Sequence, residues 1–208
     1  MRKQAMAAAL ALILSGGLAA CSSGSDQSSG SGMMGQASGA MSSMARSGAT
    51  MAQSVGLMGS DAKFLTTAIQ SGIAEVELGR LARERASSRE VRNFGQRMVD
   101  DHSNANAQLE AMAQARDLTV PTAMDATHQS LHDQLAALRG RSFDREYMQS
   151  MVQDHEKDVD LFSQQASADP NDQVSQLAAR ILPQLREHLS MARSINQALE
   201  TPRVSQAE

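Results

Sequence analysis

From Ser60 onward the sequence holds an apolar period of 3.6 residues with scarcely a β-branched run, and that pattern leaves little room for anything but helices. A helix is expected from about Asp61 to Ala86, capped by Ser60 or Asp61. The run Ser87-Ser88-Arg89-Glu90 has capping-box spacing, closing that helix and opening a second that continues to about Arg116, where DLTVPTAMD breaks it. A short helix follows over about 126–139, ending at Gly140. Two more long ones are expected over about 142–166 and 172–199, separated by SADPND. Four long helices, here called A to D, with one short extra predict an all-α four-helix bundle over residues 61–199, leaving 200–208 as a disordered tail.

Each inward stripe carries one polar intruder. On A the stripe is Leu65, Ala68, Gly72, Glu75, Gly79 and Ala82; on B it is interrupted by His102, on C by His155 and on D by His188. All four intruders lie near mid-helix, so in an antiparallel bundle they share a level. MVDDH at 98–102 is also echoed by MVQDH at 151–155, and the echo widens to Phe94 and Gln96 against Tyr147 and Gln149. Equivalent inward positions at equal height on two parallel helices would explain it, if the B-to-C segment crosses the bundle. The length to be crossed is roughly 40 Å at 1.5 Å per residue, within reach of a short helix plus about ten extended residues.

Glu75, His102, His155 and His188 could thus form one layer, and three imidazoles with a carboxylate suit a divalent transition metal. An acid precedes each histidine: Asp101, Asp154 and Glu187. Turned 100° from its neighbour, each could accept a ring N–H from a ligating histidine. The competing reading is a hydrogen-bonded layer that fixes register and binds nothing. His128 and His132, four apart on the short helix, have metal spacing but no third ligand in view and are read as surface residues. Pro183 removes a backbone bond from helix D about a turn before His188.

The first quarter reads differently. Arg2 and Lys3 precede an apolar run too short to span a bilayer, followed by LAAC at 18–21. Residues 1–20 read as a lipoprotein signal peptide, similar to the bacterial lipobox. Cys21, the only cysteine, is expected to carry lipid such as palmitate and to anchor the chain in a membrane, preferentially the outer one and facing the periplasm. Residues 21–60, rich in Ser, Gly and Met, are expected to be a flexible tether. Its scattered methionines, beside no His, are assigned no site. A mildly acidic chain without Trp and with one Tyr gives no sign of a nucleic-acid partner, and nothing identifies a protein partner. No catalytic Ser-His-Asp or Cys-His pattern and no phosphate loop is recognisable, so the reading leans away from an enzyme.

The segments FLTTAIQSGIAEVELGRLA, VRNFGQRMVDDH, FDREYMQSMVQDHEKDVDLF and LPQLREHL, spanning Lys63 to Ile195, resemble an uncharacterised bacterial family of exported proteins. That family is a domain of unknown function grouped with the ferritin-like superfamily and often labelled as outer-membrane protein. The resemblance implies a ferritin-like four-helix bundle with a long B-to-C crossover and says little of activity. Val99, Val152 and Leu185 stand three before the histidines where the superfamily's di-iron motif has Glu, so a di-iron site is not expected. Two functions remain open: a structural or stress-related envelope module, or a binder of metal or a small ligand through the mid-bundle layer.

Overall fold

The computed structural model describes the backbone of residues 34–201 and the side chains of 59–201. The chain divides into two compact units, Met1–Arg46 and Ser47–Glu208, and the account below concerns the second. Five helices follow in order: α1 (Met34–Arg85), α2 (Arg89–Gln114), α3 (Ala126–Ala136), α4 (Gly140–Ala166) and α5 (Gln173–Glu200). The fold is all-α. The signal peptide and Cys21 lie outside the described residues, as does the tail from 202. From Met34 onward the segment read as a tether is helical and forms the first part of α1. Ala and Met are good helix formers and Pro is absent there, so once Asp61–Arg85 is packed, extension towards the N-terminus needs no new nucleus. Among the described residues no helix is long and apolar enough to cross a membrane.

Local chemistry sets the helix ends. Ser88, one residue after the capping-box position, caps α2 by accepting from Val91 N at 3.4 Å, and its hydroxyl donates to Glu90. Asp125 caps α3 and Asp172 caps α5, each carboxylate accepting two backbone N–H groups of the first turn. Past α2, Asp117 turns the chain at φ 55°, a conformation that Asp tolerates. Gly140 does not end α3, which stops at Ala136; it begins α4 at φ 62°, where a side chain would be strained.

Helix directions follow from the contacts. Phe94 meets Tyr147 and His102 meets His155, so eight steps along α2 match eight along α4: the two run parallel, joined by the long crossover that contains α3. The echoed sequence therefore occupies equal heights on parallel helices. Asp101 of α2 reaches His188 of α5, Arg116 just past α2 reaches the α5 cap Asp172, and Ser71 and Asp61 of α1 reach Asp158 and Gln165 of α4, making both of those pairs antiparallel.

The core comes in two parts. One gathers around Leu65, Ile69, Leu109, Phe162, Leu177 and Ile181, the other around Leu78, Phe94, Met98, Tyr147 and Met151, with the mid-helix polar residues between them. Each buried Leu, Ile or Phe contributes about 1.5–3 kcal/mol. Each end has its own clasp. Beyond the first part, Arg116 pairs with Asp61 and Asp172, while Gln165 donates to Asp61 at 2.7 Å. Beyond the second, Asp144 accepts from the Ser87 and Ser88 backbone N–H groups, each at 2.9 Å, and from the Ser87 hydroxyl, pinning the α1–α2 turn to α4.

Glycines bring α1 and α2 together. A Cβ on Gly95 would lie 2.8 Å from Gly79 O and 2.8 Å from Ala82 Cβ, both rigid neighbours. Alanine at position 95 would gain about 1 kcal/mol of helix propensity, but overpacking of this kind costs typically 1–3 kcal/mol. Gly95→Ala is therefore expected to lower the urea midpoint of unfolding; an unchanged or raised midpoint would mean that the two helices separate at little cost.

Candidate metal centre

Three histidines meet where the two halves of the core leave off. On α2 the buried series Val91, Phe94, Met98, His102, Ala105 steps by three and four and places His102 in line with apolar neighbours. The same spacing on α4 (Met148, Met151, His155, Phe162) and α5 (Ile181, Leu185, His188, Ala192) does so for the other two. The three rings form a nearly equilateral triangle. Centroids are 5.5 Å apart for His102 and His155, 5.3 Å for His102 and His188, and 5.5 Å for His155 and His188. Exposure is 4%, 0% and 1%, and one nitrogen from each ring lies within 4.8 Å of the others.

Hydrogen bonds fix two of the tautomers. His155 Nδ1 donates to Met151 O at 2.9 Å, leaving the lone pair on Nε2. His188 Nε2 is 2.8 Å from Asp101 Oδ2, and since a carboxylate only accepts, the ring carries its hydrogen there and its lone pair on Nδ1. Nε2 of His102, Nε2 of His155 and Nδ1 of His188 are buried without a hydrogen-bond partner. All three rings are kept neutral. Burial pushes the His102 pKa well below the ordinary 6.5, helped by His155 and His188. His155 is lowered to about 4, by burial first and then by His188. Burial lowers His188 against the opposing pull of Asp101.

Glu75, expected in the same layer, is at that level but behind His155. Its Oε1 is 3.6 Å from His155 Nδ1, the nitrogen already committed to Met151 O. Glu75 Oε2 is buried and unpartnered. Burial raises its pKa well above 4.5, with Asp158 and Asp154 adding to the effect, so the carboxyl is held neutral. The acids that precede the histidines diverge. Asp101 reaches a cluster ring, that of His188 across the helix gap rather than of its own neighbour. Asp154 accepts from Lys157 at 2.8 Å and stands 4.0 Å from His128, while Glu187 pairs with Arg97. His128 and His132 are partly buried, bonded to Asp125 and Asp133, and outside the cluster.

Two participants escaped the sequence reading. Asp158, one turn past His155, has both oxygens on the Ser71 hydroxyl and a pKa raised to about 6, chiefly by burial. Arg97, four before Asp101, holds that carboxylate from outside. Acid at i+3 and base at i−4 from named site residues were the available signs. Tyr147 is buried with its hydroxyl unpartnered, and burial together with Glu75 raises its pKa.

Comparison with known proteins places these residues in a family context. The family model of a domain of unknown function, DUF4142, matches residues 46–195. Among solved structures, a DUF305 fragment from Deinococcus radiodurans superposes with a TM-score of 0.58 at 19% identity, over 67% of this chain and 95% of that one. A DUF305 protein from Streptomyces coelicolor, described as secreted, gives 0.58 at 16% identity, over 67% and 93%. A protein from Bacillus halodurans C-125 described as belonging to the spore coat gives 0.52 at 14%, over 74% and 94%. At these identities the likeness shows the helical fold alone. No curated protein matches the chain.

The neutral rings make metal-free stability depend on pH. Below 6.5 the unfolded chain protonates all three imidazoles while the native chain holds them neutral, His155 down to about 4, so stability is lost as pH falls through that window. Asp158 and Glu75 act oppositely, because the native chain keeps protons that the unfolded chain releases above 3.8 and 4.5. Three imidazoles are set against two carboxyls, so the imidazoles prevail as the unfolded chain fills them, and stability falls with pH. Urea unfolding at pH 7 and pH 5.5 should show that decline. Glu75→Gln, which removes one opposing group, should steepen it; a shallower slope in the variant would contradict the neutral-carboxyl assignment.

Proposed function

The chain belongs to the DUF4142 family, and we propose that it is a cell-envelope protein binding one first-row transition-metal dication through His102, His155 and His188. The observation that carries this is the set of three buried ring nitrogens, Nε2 of His102 and His155 and Nδ1 of His188, each without a hydrogen-bond partner. A packing network would pair its members, because a buried polar atom left unpaired costs about 1–3 kcal/mol. Supplying a donor by protonation is resisted, since every ring is pushed towards neutrality. One cation satisfies all three acceptors together. At the widest spacing of 4.8 Å, division by the square root of three puts the central point about 2.8 Å from each nitrogen, and modest contraction brings it to the roughly 2.0–2.1 Å of a metal–imidazole bond. Three neutral imidazoles suit zinc, copper, nickel or iron(II). The Asp101–His188 hydrogen bond orients one donor in the manner of carboxylate–histidine–metal triads. Glu75, neutral and behind His155, supports that ring from outside the coordination sphere.

With the histidines at most 4% exposed, the arrangement favours holding an ion over turning over a substrate. Export is supported by the signal-peptide pattern ending at Cys21 and by the description of the Streptomyces coelicolor protein as secreted. We place the anchor at Cys21, lipid-modified and seated in the outer membrane facing the periplasm. Labelled palmitate should enter the wild type and miss Cys21→Ala; equal labelling would remove the anchor.

Protein stripped with a chelator and dialysed against zinc, copper or cobalt should retain one ion per chain by elemental analysis and melt at a higher temperature. His102→Ala, His155→Ala and His188→Ala should each weaken retention by at least about a hundredfold. Circular dichroism checks that each variant folds. If folded wild-type protein retains no ion, the histidines serve packing, and the structural envelope module is the correct reading.

A further inference from the structure

Three groups converge on the guanidinium of Arg97 at the surface between α2 and α5. Asp101 Oδ2 is 3.2 Å from Nε, Glu187 Oε1 is 2.9 Å from Nη2, and Met191 Sδ is 3.9 Å from Nη1. The same Asp101 oxygen accepts from His188 Nε2 at 2.8 Å. A single carboxylate oxygen thus touches a solvent-facing cation on one side and the enclosed histidine cluster on the other. Exposure is graded along this line: the side chains of Glu187, Arg97, Asp101 and His188 are 56%, 43%, 24% and 1% exposed. The other carboxylate beside a cluster ring, that of Glu75, has a side chain 2% exposed. Next to Arg97 a groove of about 340 Å³ opens between the two helices, walled by Phe94, Met191 and Ile195.

We infer that Asp101, Glu187 and Met191 form a loading port for the metal, a cation seat that the Arg97 guanidinium fills until an incoming dication displaces it. This rests on the metal-binding reading and adds its route. Two carboxylates carry two negative charges, which one guanidinium half neutralises and a dication neutralises fully, so exchange is favoured by charge. Oxygen and thioether together accept both harder and softer first-row ions. From the seat the ion passes Asp101 as the His188 N–H releases it, and settles on Nδ1 of His188 and the other two nitrogens. Arg97 then returns to Asp101, whose bond to the His188 N–H holds that ring towards the ion and covers it from water.

The test is stopped-flow uptake of cobalt(II) by chelator-stripped full-length protein, followed by the visible absorption of the bound ion. Arg97→Gln leaves the seat open and more negative; it should load about three to ten times faster than wild type and surrender cobalt to excess chelator faster as well. Arg97→Lys, which restores the cation, should return both rates towards wild type. Asp101→Asn keeps an oxygen that can accept from His188 but loses the charge, and should load at least about ten times more slowly. The pairs are partly exposed, so these variants should fold as the wild type does, checked by circular dichroism. If Arg97→Gln and Asp101→Asn both load within twofold of wild type while binding one cobalt per chain, the port is wrong and the metal site stands. If wild-type protein takes up no cobalt, the metal reading falls and the port with it.

Discussion

The structure depends on putting neutral imidazoles where a bundle ordinarily puts leucine. A charged histidine at such depth would carry a desolvation penalty of several kcal/mol, and the surrounding residues act to prevent that charge. Met151 O takes the hydrogen of one ring and Asp101 that of another, each leaving a lone pair turned away from the bond. Burial pushes the neighbouring acids Glu75 and Asp158 towards neutrality as well, while the Ser71 hydroxyl gives the Asp158 carboxylate a partner when it is ionised. The result is a slab of uncharged rings between two apolar compartments.

The helices could be read from the sequence because burial on one face imposes a period, and because capping residues mark where backbone N–H groups need partners. His102, His155 and His188 could be read by the same argument, as polar residues at positions the period reserves for apolar ones. Their common height followed from mid-helix placement, and the echo between α2 and α4 followed from parallel direction.

What could not be read was the direction in which side chains turn. Glu75 shares the level, yet it lies behind His155 because α1 faces the Nδ1 edge of that ring, and no spacing along one helix states which edge of a neighbour it meets. The three acid-His pairs look alike in sequence and end differently. A step of 100° turns Asp101 towards α5, Asp154 towards Lys157 and α3, and Glu187 outward to Arg97.

The division of the core has a consequence for how the native state breathes. Each compartment has its own fastening, Arg116 with two aspartates at one end and Asp144 with the α1–α2 turn at the other, and the slab between them contributes few apolar contacts. Fraying that begins at one end loses its neighbours at the slab, so amide protons in the two halves should exchange through separate sub-global openings. An ion held jointly by α2, α4 and α5 would be lost if any one of them moved away. Its binding would merge two cooperative units into one, felt as slowed exchange far from the histidines themselves.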